Sequence, residues 1–250
     1  MKRYFIYLAY NGKEFCGWQI QPNGISVQAT IEQALSVLLQ MPIAITGAGR
    51  TDAGVHARMM VAHADLPLNM EEIPNLLERL NGILPKSIVI DKIIPVNSDA
   101  HARFDALSRT YQYYITDRKN PFQYELMYKV KKMPDISKMN EAAAILFDYS
   151  DFTSFSKLHT DVKTNHCKIM QAEWAAQNDY MVFTITADRF LRNMVRSIVG
   201  TLLEVGKGKL SLDGFRRIIE SKNRCNAGTS VPAHALFLTG IAYPSLITNY

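Results

Sequence analysis

Ser26-Val-Gln-Ala-Thr30-Ile-Glu-Gln-Ala-Leu35-Ser-Val-Leu-Leu-Gln40 decides how this 250-residue chain folds. Val27, Ile31, Leu35, Leu38 and Leu39 fall on one face at helical spacing, and Ser26 stands where an N-cap belongs. Met41-Pro42 ends the helix. Before it runs an apolar strand, about residues 3–10, and then a loop from Asn11 to Gly24 that contains Phe15, Trp18 and Gln19. A loop of that length inside a compact domain tends to be functional. After the helix the pattern predicts a strand at 43–48, a tight glycine-rich turn, a strand at 57–65, a helix at 71–80 and a strand at 87–96. The order is βαββαβ, the split βαβ or ferredoxin-like unit, with mainly antiparallel strands and helices on one face.

The rest of the chain repeats that order without visible sequence similarity. A long strand is expected at 104–116, then a helix at 135–147 capped by Asp135. Strands at 166–176 and 180–187 follow, joined by Gln177-Asn-Asp179. Helices at 189–205 and 212–221 precede a last strand at 236–243. The expected fold is therefore α/β (α+β). It has two halves, residues 1–100 and 101–250, with their sheets side by side and a central cleft.

The composition supports a folded protein: 48% of residues are hydrophobic and 20% are charged. The net charge is +5, unevenly placed. Residues 1–100 carry 8 basic and 9 acidic side chains, whereas residues 101–250 carry 20 and 14. A polyanion partner would be held mainly by the second half. No apolar run is long enough to span a membrane. The apolar start is cut at Asn11-Gly12-Lys13 with no cleavage site, so it is a strand and not a signal peptide. Cys16, Cys167 and Cys225 lie far apart, and the histidines lack His-x-x-x-His spacing. His166 and Cys167 are adjacent, so on a strand they face opposite ways. Neither a disulfide framework nor a metal site is indicated, and a cytoplasmic location is expected.

Gly47-Ala-Gly-Arg50-Thr-Asp52-Ala-Gly54-Val-His56-Ala57 is the most unusual local sequence. Its Gly-x-Gly invites a phosphate-loop reading. Yet Asp52 stands where a dinucleotide fingerprint needs its third glycine, and the Gly-Lys-Ser/Thr of a P-loop is absent. A carboxylate in the turn would also repel phosphate. The glycines permit tight backbone and close approach of a ligand. Arg50 can set positive charge beside Asp52, a setting that favours a charged carboxylate suited to act as nucleophile or base. The plain alternative is an Asx-turn aspartate bonded to its own backbone.

Arg189, Arg192 and Arg196 are spaced i, i+3 and i+7 on the helix expected from Asp188, within one narrow sector beside its buried face. A solvated helix face gives the same spacing. Residues 189–224 hold 9 basic and 3 acidic side chains, enough to supply much of a phosphate-binding surface. Tyr111 and Tyr113 share one face of the strand at 104–116 with Arg109. That pattern fits sheet packing, and it also fits stacking on an unpaired base.

Together these segments resemble the tRNA pseudouridine synthase A family. Gly49-Arg50-Thr51-Asp52-Ala53-Gly54-Val55-His56-Ala57 is similar to its active-site signature, and Leu8 to Gly12 with Phe15-Cys-Gly-Trp18-Gln19 to its opening. His101-Ala-Arg-Phe104 with Ser108-Arg-Thr-Tyr111 resembles its central strand. Phe190-Leu-Arg-Asn193-Met-Val-Arg196 with Gly200, Gly206, Lys207 and Gly208 resembles its late helix. The resemblance implies conversion of uridine to pseudouridine at positions 38–40 in the anticodon stem-loop of tRNA, by a homodimer without cofactor or metal. It implies Asp52 as the catalytic aspartate and Tyr111 as the tyrosine placed against uracil. It implies Arg196 as the partner of Asp52, and Arg50 as the residue that helps extrude the nucleotide.

Two positions depart from the family pattern. Arg58-Met-Met-Val-Ala-His63 replaces a Gln-Val pattern, and Ala235 stands where glycine usually precedes Leu236, a candidate uracil contact. Two other classes fit parts of the sequence. A non-catalytic tRNA-binding module of the same fold would need no carboxylate in its pocket. A glycosyl hydrolase or transferase would need a second carboxylate, and no spacing indicates one.

Overall fold

A computed structural model describes residues 1–157 and 164–247. The fold is mixed α/β with mostly antiparallel strands. It forms two compact units, one of Met1–Ser108 with Leu238–Tyr250 and one of Arg109–Phe237.

The first unit runs β1 (Lys2–Tyr10), α1 (Val27–Leu39), β2 (Thr46–Gly47), β3 (His56–Leu66), α2 (Ile73–Ile83) and β4 (Ile88–Pro95). Strand β1 lies between β4 and β3, antiparallel to both. Its central place explains its sequence: Tyr4, Phe5, Ile6 and Leu8 are all fully buried. Ser26 caps α1 by accepting a hydrogen bond from the Ala29 N–H, and Val27, Ile31, Ala34 and Leu35 are buried. Leu38 and Leu39 are half-buried. Gln40, in left-handed conformation at φ 54°, ends the helix.

The strand expected at 43–48 shrinks to two residues because α1 takes its backbone. Ile45 N–H donates to Glu32 Oε1 at 2.9 Å, Gln28 Nε2 donates to the Ile45 carbonyl at 3.0 Å, and Ile43 N–H donates to Ser36 Oγ at 2.9 Å. Thr46 and Gly47 pair with β3, and the Ala48 N–H donates to the Val61 carbonyl at 2.7 Å. Helix α2 starts later than expected, after a 3-10 turn at Met70–Glu72 in which Glu72 accepts from the Asn69 N–H.

The second unit runs β5 (Ser108–Thr116), β6 (Tyr128–Lys129), α3 (Ile136–Ile145), β7 (Ile169–Ala176), β8 (Met181–Ala187), α4 (Met194–Gly206) and α5 (Leu212–Glu220). Strand β8 lies between β5 and β7, antiparallel to both, and the short β6 runs parallel to β5. Asp135 caps α3 by accepting from the Ser137 and Lys138 N–H groups.

Three boundaries differ from the sequence expectation for local reasons. Strand β5 starts at Ser108, not 104. Upstream, His101 Nδ1 accepts from the Arg103 and Phe104 N–H groups and Asp105 accepts from His101 N–H, winding 101–105 into a turn. Strand β7 starts at Ile169, not 166, and Asp188 Oδ1 takes the Lys168 N–H. Helix α4 starts at Met194, not 189, because Asn193 adopts left-handed φ 67° at its N-cap. The same Asp188 oxygen accepts from the Arg189 N–H, so that carboxylate caps a turn and no helix. Arg189 and Arg192 therefore precede the helix, and the three-arginine helical face does not exist. Only Arg196 lies on α4.

Strand β9 (Leu236–Ala242) returns the chain to the first unit. There the Leu107 N–H donates to the Ala242 carbonyl at 2.8 Å, and the Tyr243 hydroxyl donates to the Ala102 carbonyl at 2.6 Å. The Tyr243 ring stands 5.0 Å from that of Phe5. Among the described residues no helix is long and apolar enough to cross a membrane.

Candidate active site

In the first unit, Asp52 sits in the turn between β2 and β3, and the loop Asn11–Gly24 frames that turn. The loop is fixed first against α1: Val27 N–H donates to the Gly17 carbonyl at 3.2 Å and Gln28 N–H to the Trp18 carbonyl at 3.0 Å. It then grips the turn. Trp18 N–H donates to the Thr51 carbonyl at 3.3 Å, and Gly54 N–H to the Phe15 carbonyl at 3.4 Å. Gly12 N–H donates to Nδ1 of the buried His56 at 3.0 Å, and the Tyr10 and Thr51 hydroxyls share a hydrogen bond of 2.8 Å.

Close packing explains the glycines. A Cβ at Gly47 would stand 2.4 Å from the Trp18 indole, and Gly17 holds φ +109° with its α-carbon facing the Thr51 carbonyl. Phe15, Trp18, Thr51 and Val55 are buried, whereas Asp52 is half-buried and Arg50 is exposed. The frame therefore immobilises the backbone on both sides of a carboxylate that keeps access to solvent. The sequence had marked the loop by its length. Its grip on Thr51 and Gly54 depends on long-range backbone pairing, which no local pattern reveals.

In the second unit, Tyr111 on β5 is nearly buried and meets the Phe190 ring edge-on, with centroids 5.2 Å apart at 89°. Such a contact fixes the ring plane of Tyr111. Two residues on, the fully buried Tyr113 donates its hydroxyl to the Pro232 carbonyl at 3.0 Å. Burial pushes its phenol well above the usual range, so it stays a neutral donor. The neighbouring Val231 carbonyl accepts from Arg196 Nε at 2.8 Å. Residues 231–232 are thus gripped by β5 on one side and α4 on the other, linking the strand of Tyr111 to the helix of Arg196.

The segment leading to Val231 is itself held. Asn193 Nδ2 and Arg224 Nη2 both donate to Ser230 Oγ, and Gly228 N–H donates to Thr201 Oγ1. At Gly200 a Cβ would stand 2.0 Å from the Thr229 carbonyl, so only glycine lets this segment lie against α4. Beyond Pro232 a 3-10 turn at Ala233–Ala235 leads into Leu236, which is 5% exposed. Cys167 belongs to the core, and burial pushes its thiol up to about 12, which removes it as a nucleophile at neutral pH.

The family described as tRNA pseudouridine synthase matches residues 6–105 and 142–244. Those segments contain Arg50, Asp52, Arg196 and Leu236, and Tyr111 lies between them. A tRNA pseudouridine synthase A from Parabacteroides distasonis is 63% identical over 244 residues, 98% of this chain and 97% of that one. The protein of that name from Porphyromonas gingivalis is 61% identical over 248 residues, 98% of each. One from Treponema denticola is 39% identical over 250 residues, 97% of this chain and 93% of that one. These matches define an isomerase. The chain belongs to the tRNA pseudouridine synthase family.

Proposed function

We propose that this chain converts uridine to pseudouridine in tRNA, at positions 38–40 of the anticodon stem-loop, with Asp52 as its catalytic carboxylate. The observation that carries it is the Gly49–Ala57 turn, whose backbone is fixed from both sides while its aspartate stays half-open to solvent. The reaction breaks the C1′–N1 bond, turns the freed uracil, and joins C1′ to C5. The C5 hydrogen leaves as a proton and N1 gains one. No net electrons or groups enter or leave, so the chemistry calls for no cofactor.

Asp52 either attacks C1′ or removes a sugar proton to give a glycal-like intermediate, and both routes need the same carboxylate. Arg196 balances its charge, Tyr111 keeps the detached base stacked, and Leu236 borders that base. Arg50 helps draw the nucleotide out of its stem, a step that costs a few kcal/mol and is offset by backbone contacts and stacking. On this reading the enzyme is a cytoplasmic homodimer.

The test uses tRNA carrying tritium at uridine C5. The parent protein should release tritium to water without added cofactor. Asp52→Ala should bind tRNA and release none. Release at the parental rate from that variant would remove Asp52 from its role. A parent that binds tRNA and releases nothing would be the non-catalytic binding module.

A further inference from the structure

In the segment 117–127, Asp-Arg-Lys-Asn-Pro-Phe-Gln-Tyr-Glu-Leu-Met, residues 117–125 stay outside the buried core, and none of the eleven is assigned to the reaction. It leaves β5 and returns beside it, since Ile115 pairs with Tyr128 and Thr116 with Lys129, and Val130 N–H donates to the Thr116 carbonyl. Its foot is anchored: Leu126 and Met127 pack on the buried cluster of Tyr114, Val182 and Phe237. Its tip is braced by Asn120. That side chain accepts from Phe122 N–H at 2.9 Å and donates to Gln123 Oε1 at 3.1 Å, while its carbonyl accepts from Gln123 N–H at 3.2 Å. Pro121 further restricts the turn.

The built turn holds an apolar ring out in water. Phe122 is 90% exposed and Tyr124 66%. Arg118 and Lys119 are exposed on the outgoing leg, and Lys129, Lys131 and Lys132 on the return, brought to one end of the sheet by the β5–β6 pairing. Arg118 is paired with Asp179. Among the described residues, Lys119, Lys129, Lys131 and Lys132 form no ion pair. A solvent-facing ring flanked by cations that form no ion pair suits unpaired nucleic acid, where any base offers a face to stack on and the phosphates meet the charge.

We propose that this loop is an additional tRNA contact, with Phe122 stacking on an unpaired base and the four lysines meeting the phosphates beside it. The proposal rests on the tRNA reading above, and its test separates the two. Dissociation constants for full-length unmodified tRNA are measured over a range of salt for the parent, Phe122→Ala, Phe122→Trp and the Lys131→Gln/Lys132→Gln pair. Phe122→Ala should weaken binding by about 5- to 150-fold and leave the slope of log K against log salt unchanged, and Phe122→Trp should restore it. The lysine pair should flatten that slope by roughly one to two. A Phe122→Ala protein that binds like the parent at every salt overturns the proposal. So does one that binds normally but changes its solution mass, which would make the loop a contact between two copies. A parent that does not bind tRNA at all overturns the tRNA reading itself.

Discussion

Arg196 and Val231 hold each other by two hydrogen bonds: Arg196 Nε donates to the Val231 carbonyl at 2.8 Å, and Val231 N–H donates to the Arg196 carbonyl at 3.2 Å. The main-chain bond survives any ordinary substitution at 196, but the side-chain bond requires a guanidinium. Arg196→Lys therefore keeps the charge and loses the direction in which its head group is held. On the proposed reading, in which Arg196 balances the charge of Asp52, misplacing its head group is expected to cost on the order of 10²-fold in kcat for tritium release, with tRNA affinity near the parental value. The lost charge-assisted bond should lower stability by no more than about 1.5–3 kcal/mol. Parental kcat in the lysine variant would show that charge alone suffices.

At Gly17 the framing loop presses directly on the backbone of the Asp52 turn. At φ +109°, a Cβ would stand 2.3 Å from the Thr51 carbonyl oxygen and 3.1 Å from the Asp52 carbonyl carbon. Gly17→Ala must move either the loop or the turn. A destabilisation of about 1–3 kcal/mol is expected in urea melts. Because the displaced atoms belong to Thr51 and Asp52, kcat should fall as well. A variant that loses stability and keeps full kcat would mean that the loop yields and the turn stays in place.

The elements legible in the sequence are those fixed by neighbours in sequence. Ser26 caps α1, Asp135 caps α3 and the Gln177-Asn-Asp179 hairpin closes as expected, because each bond spans a few residues. What sequence patterns missed is long-range or competitive. Glu32 and Gln28 take the backbone of Ile45 from a strand that its apolar pattern predicts. Asp188 looks like a helix cap, yet spends its oxygen on Lys168 and Arg189, and Asn193 starts the helix instead. The motif around Asp52 was visible from composition and glycine spacing. The grip of Tyr113 and Arg196 on residues 231–232 was not, since over a hundred residues separate strand from segment.

Tyr113→Phe tests that grip. The substitution fits the same space and removes only the donor to the Pro232 carbonyl. The expected loss is about 1 kcal/mol of stability, read from chemical denaturation. The buried phenol should also be missing from the ordinary alkaline tyrosine titration followed by ultraviolet absorbance in the folded protein, since burial raises it. A tyrosine count in that titration unchanged between parent and Tyr113→Phe would agree with this, and one fewer in the variant would contradict it.

His63 sets an acid limit on the first unit. Its Nδ1 accepts from the Ala102 N–H at 3.1 Å, and its ring lies 4.6 Å from that of His101. Burial, followed by the nearby His101 and Arg3, pushes its pKa down to about 4, against the opposing pull of Asp65 and Asp105. An unfolded histidine takes its proton near 6.5. Between these values the unfolded chain binds more protons than the folded one, so stability rises with pH across that window. The contribution is complete above about pH 6.5 and is lost as pH falls toward 4. His63→Asn retains an acceptor for Ala102 and has no proton to take. Urea melts from pH 4 to 7 should therefore give a flatter stability profile for the variant than for the parent. Equal slopes would assign the acid loss to other groups.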